Sequence, residues 1–573
     1  MRRWIIIATA VLEMTCGLHA QELKVTGIQA RYRNGQTFVT WKDAAEGEAD
    51  AKLYYALYGS DKPITQNNLA EAELLQKNIF YNSARLLGYA FSEKSRLDPA
   101  KPMVILEEGA KPLPMWSGVT AVTARKNARN YYAVVAMNSA GAPLSQVVPG
   151  ESALTGSVEE RVAPIQPIRF NSAKNSAGQP IVLQKKQPLR VEFHASNSYA
   201  SDRFYDADGD NYLYFATSDM GYRDGLQGVF QVKENRSRLV LASFDAIEKP
   251  YGDPLNFTRE TFWFGYLCVP QWANDKKPRA YPFTEKRMLW IMDWVMKTYD
   301  VDTNRVYAGG GSMGAWGSTT FALRHPEIFA AVYPSRPRTR QIGLPVMDRD
   351  RKSVLMDDGK TDYYKRMDMV NFVTERHDDL PFYAWCCGRH DGFATFKEQI
   401  DMVKAMTANH HGFAFAWNDG DHAGGVQALY NVTNYYGEQL FALNQSYPAF
   451  GNSSINDDIG SGEMEEVVDG KWHRVVQDGQ REGGINLGFA WKILADEELK
   501  WAVTLSNDLA KVEMTVDVTP RRCQKFKTKA GDKFKWANTA GGNGEVTADA
   551  WGLVTVEKVK IRPGAETTLT ISQ

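Results

Sequence analysis

The chain has 573 residues, which at roughly 150 residues per domain implies three or four domains rather than one core. Apolar residues make up 43% and charged residues 24%, a globular balance that excludes disorder and collagen-like repeats. Sixty-seven Lys and Arg face 68 Asp and Glu, a net charge of −1, so the chain as a whole has no basic field for nucleic acid or an anionic membrane surface.

Residues 1–20 read as a secretory leader: Arg2 and Arg3 begin it, an apolar stretch runs from Trp4 to Leu12, and Leu18-His19-Ala20 is a small-residue exit. The expectation is an exported protein, periplasmic or secreted. Lipidation at Cys16 is the lesser alternative, because Glu13-Met14-Thr15 makes a poor approach to it. No later run has the eighteen apolar residues of a membrane span. Behind the leader, Cys268, Cys386, Cys387 and Cys523 are too scattered for a disulfide framework, and adjacent Cys386 and Cys387 are expected to be buried.

Residues 21–150 have β texture. Thr37-Phe38-Val39-Thr40-Trp41, Leu53-Tyr54-Tyr55-Ala56-Leu57-Tyr58 and Tyr131-Tyr132-Ala133-Val134-Val135-Ala136 are short β-branched and aromatic runs between turn signals. With Asn138-Ser139-Ala140-Gly141 after the last, they resemble a fibronectin type III sandwich, interrupted by an expected helical insertion at 65–87.

Residues 151–450 alternate strand and helix patterns, which indicates an α/β sheet. The clearest helix is 284–299, where Met288, Ile291, Met292, Val295 and Tyr299 repeat on one face. Residues 451–573 return to period-two alternation and read as a second β-sandwich, with strands at 501–505, 512–516 and 553–557.

Chemistry concentrates in the middle segment. A strand at Arg305-Val306-Tyr307-Ala308 leads through Gly309-Gly310-Gly311-Ser312-Met313-Gly314 into a helix. Gly310-x-Ser312-x-Gly314 in that context is a nucleophile elbow, where glycines admit the crowded backbone beneath a strained serine. A serine hydroxyl needs a base and the base needs an orienting carboxylate, in the chain order Ser, acid, His on this fold. Asp391 follows the strand 380–387 and His422 follows the strand 413–417. Of nine histidines only His422 combines that order with a loop after a late strand; Asp419, Asp421, Asp357 and Asp358 are rivals for the acid. The oxyanion donors are expected at the Met313 amide and, after the strand at 189–193, at Ala195.

The run from Val306 to Ser335, with Gly388-x-x-Asp391 and Asp421-His422, resembles the α/β-hydrolase carbohydrate esterases, among them feruloyl and acetylxylan esterases, polyester depolymerases and a pectin methylesterase group. The resemblance spans about half the chain. It implies an α/β fold, an α/β-hydrolase doubly wound sheet flanked by an N-terminal fibronectin III-like and a C-terminal β-sandwich domain, and serine ester hydrolysis on a polysaccharide or oligosaccharide, with no cofactor.

Arginines beside the elbow suggest the ester. Pro334-Ser335-Arg336-Pro337-Arg338-Thr339-Arg340 leaves a strand at its carboxyl end and Arg389 precedes the acid by two residues. Guanidinium groups there suit the free carboxylates of a polyuronate, so methyl-esterified galacturonate in pectin is the first expectation and acetyl or feruloyl esters on xylan-type glycans the second. Trp316 is a candidate sugar platform, with Trp263 and Trp272 further off. Asp206-Ala207-Asp208-Gly209-Asp210-Asn211 alternates oxygens as a calcium loop does, but its glycine stands at position four and no Glu at twelve, so it reads as a turn and no metal is expected. A prolyl-oligopeptidase-type peptidase shares the triad order, but the segment before the hydrolase is too short for its propeller. A dead hydrolase scaffold that binds polysaccharide is the alternative of another class.

Overall fold

The computed structural model describes residues 23–44, 53–84, 106–107, 110–138, 140–166, 168–169, 186–193, 211–216, 226–235, 238–244, 263–264, 266–268, 279–340, 354–465 and 474–573. The leader with Cys16, most of the calcium-like run (206–210), Ala195 and Trp272 lie outside them. No described helix is long and apolar enough to cross a membrane.

Seven strands come first: β1 Thr26–Arg33, β2 Gln36–Lys42, β3 Tyr54–Ser60, β4 Glu73–Phe80, β5 Ser117–Thr123, β6 Ala128–Met137 and β7 Val158–Glu160. They form antiparallel sheets ordered β1-β2-β5 and β4-β3-β6-β7. Asn34 and Gly35, both at positive φ, make the two-residue turn from β1 to β2. Val39, Trp41, Tyr55, Leu57, Tyr132 and Val134 fill the space between, with the Trp41 and Tyr55 rings edge-to-face at 5.3 Å. Among the described residues of the expected helical insertion (65–84) no α-helix forms: a six-residue 3-10 turn, Gln66–Glu71, precedes β4. Pairing of β4 with β3, and the Gln76 amide donating to the Ala121 carbonyl, outweigh local helix propensity.

The ten-stranded sheet that carries the candidate site uses β8 Ile168–Arg169, β9 Gln187–Phe193, β10 Asn211–Ala216, β11 Leu226–Asn235, β12 Arg238–Phe244, β15 Val301–Gly311, β16 Ala331–Ser335, β17 Phe382–Gly388 and β18 Phe413–Asn418. A small hairpin, β13 Tyr266–Cys268 with β14 Arg279–Tyr281, stands apart. The tenth strand, β22 Gly483–Ile485, comes from the segment read as the C-terminal sandwich and pairs antiparallel with β18. The order is β22-β18-β17-β16-β15-β9-β12-β11-β10-β8, with β12, β9, β15, β16, β17 and β18 mutually parallel. This parallel core, with its strand-to-helix elbow, is an α/β-hydrolase fold.

Its two faces are covered differently. On one, Val306, Ala308, Tyr383, Trp385, Phe415 and Trp417 meet helices α1 Phe283–Thr298, α2 Met313–Arg324, α4 Met369–Thr374 and α5 Phe396–Ala408, the short α3 Tyr363–Met367 lying before α4. Met288, Ile291, Met292 and Val295 of α1 are all buried there, as their spacing predicts. The alternate strand residues Tyr307, Ala331, Phe382, Ala384, Ala414 and Ala416 face the short helix α6 Ala428–Thr433 and the C-terminal strands. The expected double winding by helices is therefore replaced on this face largely by β-structure, which small alanines let approach closely.

The remaining strands are β19 Tyr447–Gly451, β20 Met464–Glu465, β21 Arg474–Val475, β23 Phe489–Glu497, β24 Lys500–Asn507, β25 Met514–Arg521, β26 Lys533–Asn538, β27 Asn543–Thr547, β28 Val556–Ile561 and β29 Thr567–Ser572. Sheets β19-β25-β28 and β23-β24-β29-β26-β27 enclose Phe489, Trp501, Val503, Val516, Val559 and Ile571 in the same core cluster as the sheet face above.

Candidate active site

Parallel strands β15, β17 and β18, with β16 between the first two, end at the same edge of the sheet, and each of the three delivers one residue of the site just past its carboxyl end. After Gly311 the chain turns into α2 so sharply that Ser312 sits at φ 54° and ψ −120°, a conformation that costs a non-glycine residue about 1–3 kcal/mol. The turn closes only over glycines. A Cβ on Gly310 would lie 2.4 Å from the Phe193 carbonyl oxygen and 2.6 Å from the Gly314 backbone, and one on Gly317 would lie 2.3 Å from the Trp263 indole. The Ser312 amide donates to the Ser335 carbonyl (3.0 Å) and the Trp316 amide to the Ser312 carbonyl (3.0 Å), which hold the elbow at both sides.

The turns after β17 and β18 interlock in the same way. A Cβ on Gly388 would meet the Gly420 carbonyl oxygen at 2.2 Å, and one on Gly425 would meet the Gly388 nitrogen at 2.4 Å. The Asn418 side chain staples the second turn, accepting from the Gly420 amide (3.1 Å) and donating to the Gly424 carbonyl (3.0 Å). The Arg389 and His390 amides donate across to the Asn418 and Gly420 carbonyls.

These turns bring Ser312, His422 and Asp391 into one relay. Ser312 Oγ lies 2.7 Å from His422 Nε2, and His422 Nδ1 lies 2.7 Å from Asp391 Oδ2. The Asp391 side chain is fully buried, and its Oδ1 accepts the Phe393 and Ala394 amides at 2.8 Å each. A carboxylate only accepts, so Nδ1 carries the proton toward Asp391 and Nε2 is left to accept the serine proton. The thiol of buried Cys387 lies 3.9 Å from the same Oδ2, and burial together with that carboxylate holds it well above its ordinary pKa. Such a relay can activate a serine for attack on a carbonyl and return the proton to the leaving group.

The rival acids are placed elsewhere. Asp421 accepts the Ala423 and Gly424 amides, which hold its carboxyl below the ordinary range. Asp419 faces His390 at 3.1 Å, Asp358 turns back onto Thr361, and Asp357 lies 3.6 Å from the Lys286 ammonium. Met313 opens α2, where a first-turn amide has no acceptor inside its own helix. Ala195, the expected second donor, is outside the described residues.

Most of the expected substrate contacts are not in the cleft. Arg389 is completely buried; it donates to the Gln480 and Val476 carbonyls (2.8 and 3.0 Å) and packs over Phe396, so it ties the acid turn to the chain after β18. Arg338 pairs with buried Glu398 (3.0 Å), and Arg340 with Asp401 (3.1 Å) and Asp368 (3.7 Å). Trp316, 2% exposed, and Trp263, 1% exposed, are core residues rather than platforms. A helix whose next ten residues after Met313 and before Arg324 are all buried leaves no face for a sugar. Only Arg336 reaches the site. At φ 62° it turns back over the elbow, donates from Nη1 to the His422 carbonyl (2.6 Å), and lies close to Gly311.

Sequence reasoning did not find that clamp, nor Phe393, whose ring meets the His422 imidazole edge-to-face at 5.1 Å. The signals were there in the glycines of both turns and in an aromatic residue two positions after the acid. Cys386, Cys387 and Cys523 are free buried thiols. Among the described residues no group of three or more His, Cys, Asp or Glu is arranged to hold a metal.

The profile of the prolyl oligopeptidase family matches residues 286–446, a stretch that contains Ser312, Asp391 and His422. This match and the relay together make the chain a serine hydrolase by type. No match is found among curated proteins. Similar solved structures include a ferulic acid esterase (17% identity over 44% of this chain and 83% of that one, TM-score 0.27). An S-formylglutathione hydrolase from Agrobacterium tumefaciens (14%, 40% and 93%, 0.30) and the capsule O-acetyltransferase of Neisseria meningitidis serogroup A (13%, 46% and 90%, 0.23) are others. At these scores the likenesses decide nothing about the substrate.

Proposed function

We propose that this chain is an exported serine esterase that removes ester groups from polysaccharide. The reading is carried by the Ser312–His422–Asp391 relay, with both contacts at 2.7 Å. Ser312 attacks the ester carbonyl, His422 takes its proton and passes it to the departing alcohol, and Asp391 orients the imidazole and stabilises its cation. The Met313 amide, with a partner from the segment at Ala195, receives the developing oxyanion, and water then releases the acid. The three-plus-four order of the first seven strands supports a fibronectin III-like module, but one that runs past the expected boundary at 150, because its last strand is Val158–Glu160 paired with β6. The sheets after residue 446 support a second sandwich.

On the choice of ester, the methyl-galacturonate reading loses support. Of the arginines that motivated it, Arg338 and Arg340 are paired with carboxylates and Arg389 is buried, which leaves Arg336 alone beside the elbow. Acyl esters on glycans, acetyl or feruloyl, therefore move ahead of methyl uronates. The family match favours a peptidase as the second reading. Against it, the strands at 26–160 form a three- and a four-stranded sheet rather than propeller blades.

The test is product release by wild type and Ser312→Ala from acetylated xylan, methyl-esterified polygalacturonate and a prolyl-peptide anilide. Acetate from the first, reduced at least about 10³-fold in the variant, is the expected result. Methanol from the second restores the uronate reading, and cleavage of the anilide alone replaces the esterase with a peptidase. Glycan affinity without any turnover would leave a binding protein on a hydrolase scaffold.

A further inference from the structure

Four large apolar side chains are exposed in the described part of 279–450: Leu355, Phe393, Val426 and Tyr430. Three of them follow triad residues closely, Phe393 two positions after Asp391 and the others four and eight after His422. Phe393 is 69% exposed although its neighbour Ala394 is fully buried. Its backbone is anchored to the acid, the amide donating to Asp391 Oδ1 at 2.8 Å, and its ring stands at 62° to the imidazole. An exposed aromatic ring is thus held in a set position against His422, with most of its surface in water.

Position beside His422 decides which half of a substrate the ring meets. The imidazole hands its proton to the oxygen of the leaving alcohol, so groups flanking it lie against the alcohol half of the ester and not the acyl half. In a methyl uronate the alcohol is methanol, too small to cover a phenyl ring. In an acylated glycan the alcohol is a sugar ring, whose C–H face is apolar and matches an aromatic face in size. We infer that Phe393 is the specificity-determining residue of the alcohol subsite and selects a sugar ring as the leaving alcohol. The inference rests on the esterase reading above and sharpens it: the glycan enters as alcohol, carrying a small or aromatic acyl group.

The experiment compares two acetates, an acetylated xylo-oligosaccharide and ethyl acetate, in wild type, Phe393→Ala and Phe393→Trp. The acyl group and the chemistry at Ser312 are common to both esters, so the ratio of their kcat/KM values isolates the alcohol subsite. Loss of an aromatic stack predicts a fall of about tenfold in that ratio for Phe393→Ala. The fall should lie mainly in KM for the sugar ester, and Phe393→Trp should restore the ratio. Equal losses on both esters, expressed in kcat, would show that the ring only props the imidazole and would overturn the inference, as would an unchanged ratio. A wild type that hydrolyses neither the two acetates nor the matching pair of feruloyl esters fails the esterase reading itself, and the inference falls with it.

Discussion

The seven strands at the amino end and the strands after residue 446 have the same alternating texture and stand in opposite relations to the hydrolase sheet. The first set closes its own core around Trp41, Tyr55 and Tyr132, and buried Glu160 accepts Thr37 Oγ1 and the Tyr132 hydroxyl within it. It meets the sheet where β5 approaches β10, and meets α1 through the segment 161–166, where Arg33 and Trp294 both bond Gln166. The second set has no separate core. Tyr447 meets Phe382 of β17 edge-to-face at 6.0 Å, Trp491 packs against Tyr436 and Phe441, and the Asn486 side-chain amide donates to the Phe413 carbonyl of β18 at 3.4 Å. β22 extends the catalytic sheet itself. One sandwich is an attachment; the other forms the second wall of the hydrolase.

The sharpest way to break this comparison is deletion. A chain ending after Gly451 uncovers the alanine-lined sheet face and loses its edge strand. With each large apolar side chain worth about 1.5–3 kcal/mol on burial, far more is lost than a folded domain has to spare. It is expected to yield no soluble Ser312-dependent hydrolase, whereas removal of 23–160 retains turnover within a few-fold. Measuring ester hydrolysis in the soluble fraction of both deletions checks it, and the reverse pattern would sink the distinction.

A smaller perturbation strikes the seam alone. Arg521, 1% exposed, donates to the His377 carbonyl (3.2 Å) and to that of Asp378, and its Nε lies 3.0 Å from Asp379. Arg521→Ala strands these acceptors and is expected to cost about 3 kcal/mol. Urea unfolding followed by loss of hydrolysis reads this directly, and a midpoint equal to wild type would mean the seam contributes little.

The smallest expected effect is a pH dependence at the same seam. Burial, and then the nearby Arg521 charge, pull the His411 imidazole from 6.5 down to about 3. A histidine depressed in the folded state contributes its full stability above pH 6.5 and loses it as pH falls toward 3, because the unfolded chain binds the proton more readily. Between pH 7.5 and 5 this amounts to about 2 kcal/mol. His411→Asn should flatten that part of the stability–pH curve, and an unchanged slope assigns the dependence to other groups.

These sites also show what was legible. The strand-to-helix switch around Gly310-x-Ser312-x-Gly314, and the loops bearing Asp391 and His422 after apolar runs, are local patterns, because a sharp turn demands glycines and a buried parallel strand demands a continuous apolar run. The arginines were not legible in the same way. Arg336, Arg338, Arg340 and Arg389 share composition and neighbourhood, yet Glu398, Asp401 and Asp368 claim two of them and backbone carbonyls after residue 458 claim a third. Partners that distant leave no trace in the spacing around an arginine.

The sequence by itself determined the class of chemistry, the order of nucleophile, acid and base, and the α1 face that packs on the sheet, since each follows from backbone geometry and short-range periodicity. Only the tertiary structure decided that the second face of the sheet is closed by the C-terminal strands, that Trp316 is core and that Phe393 is exposed beside the imidazole. Those outcomes depend on which chain segments, hundreds of residues apart, compete for the same surface, and burial is settled by that competition rather than by residue type.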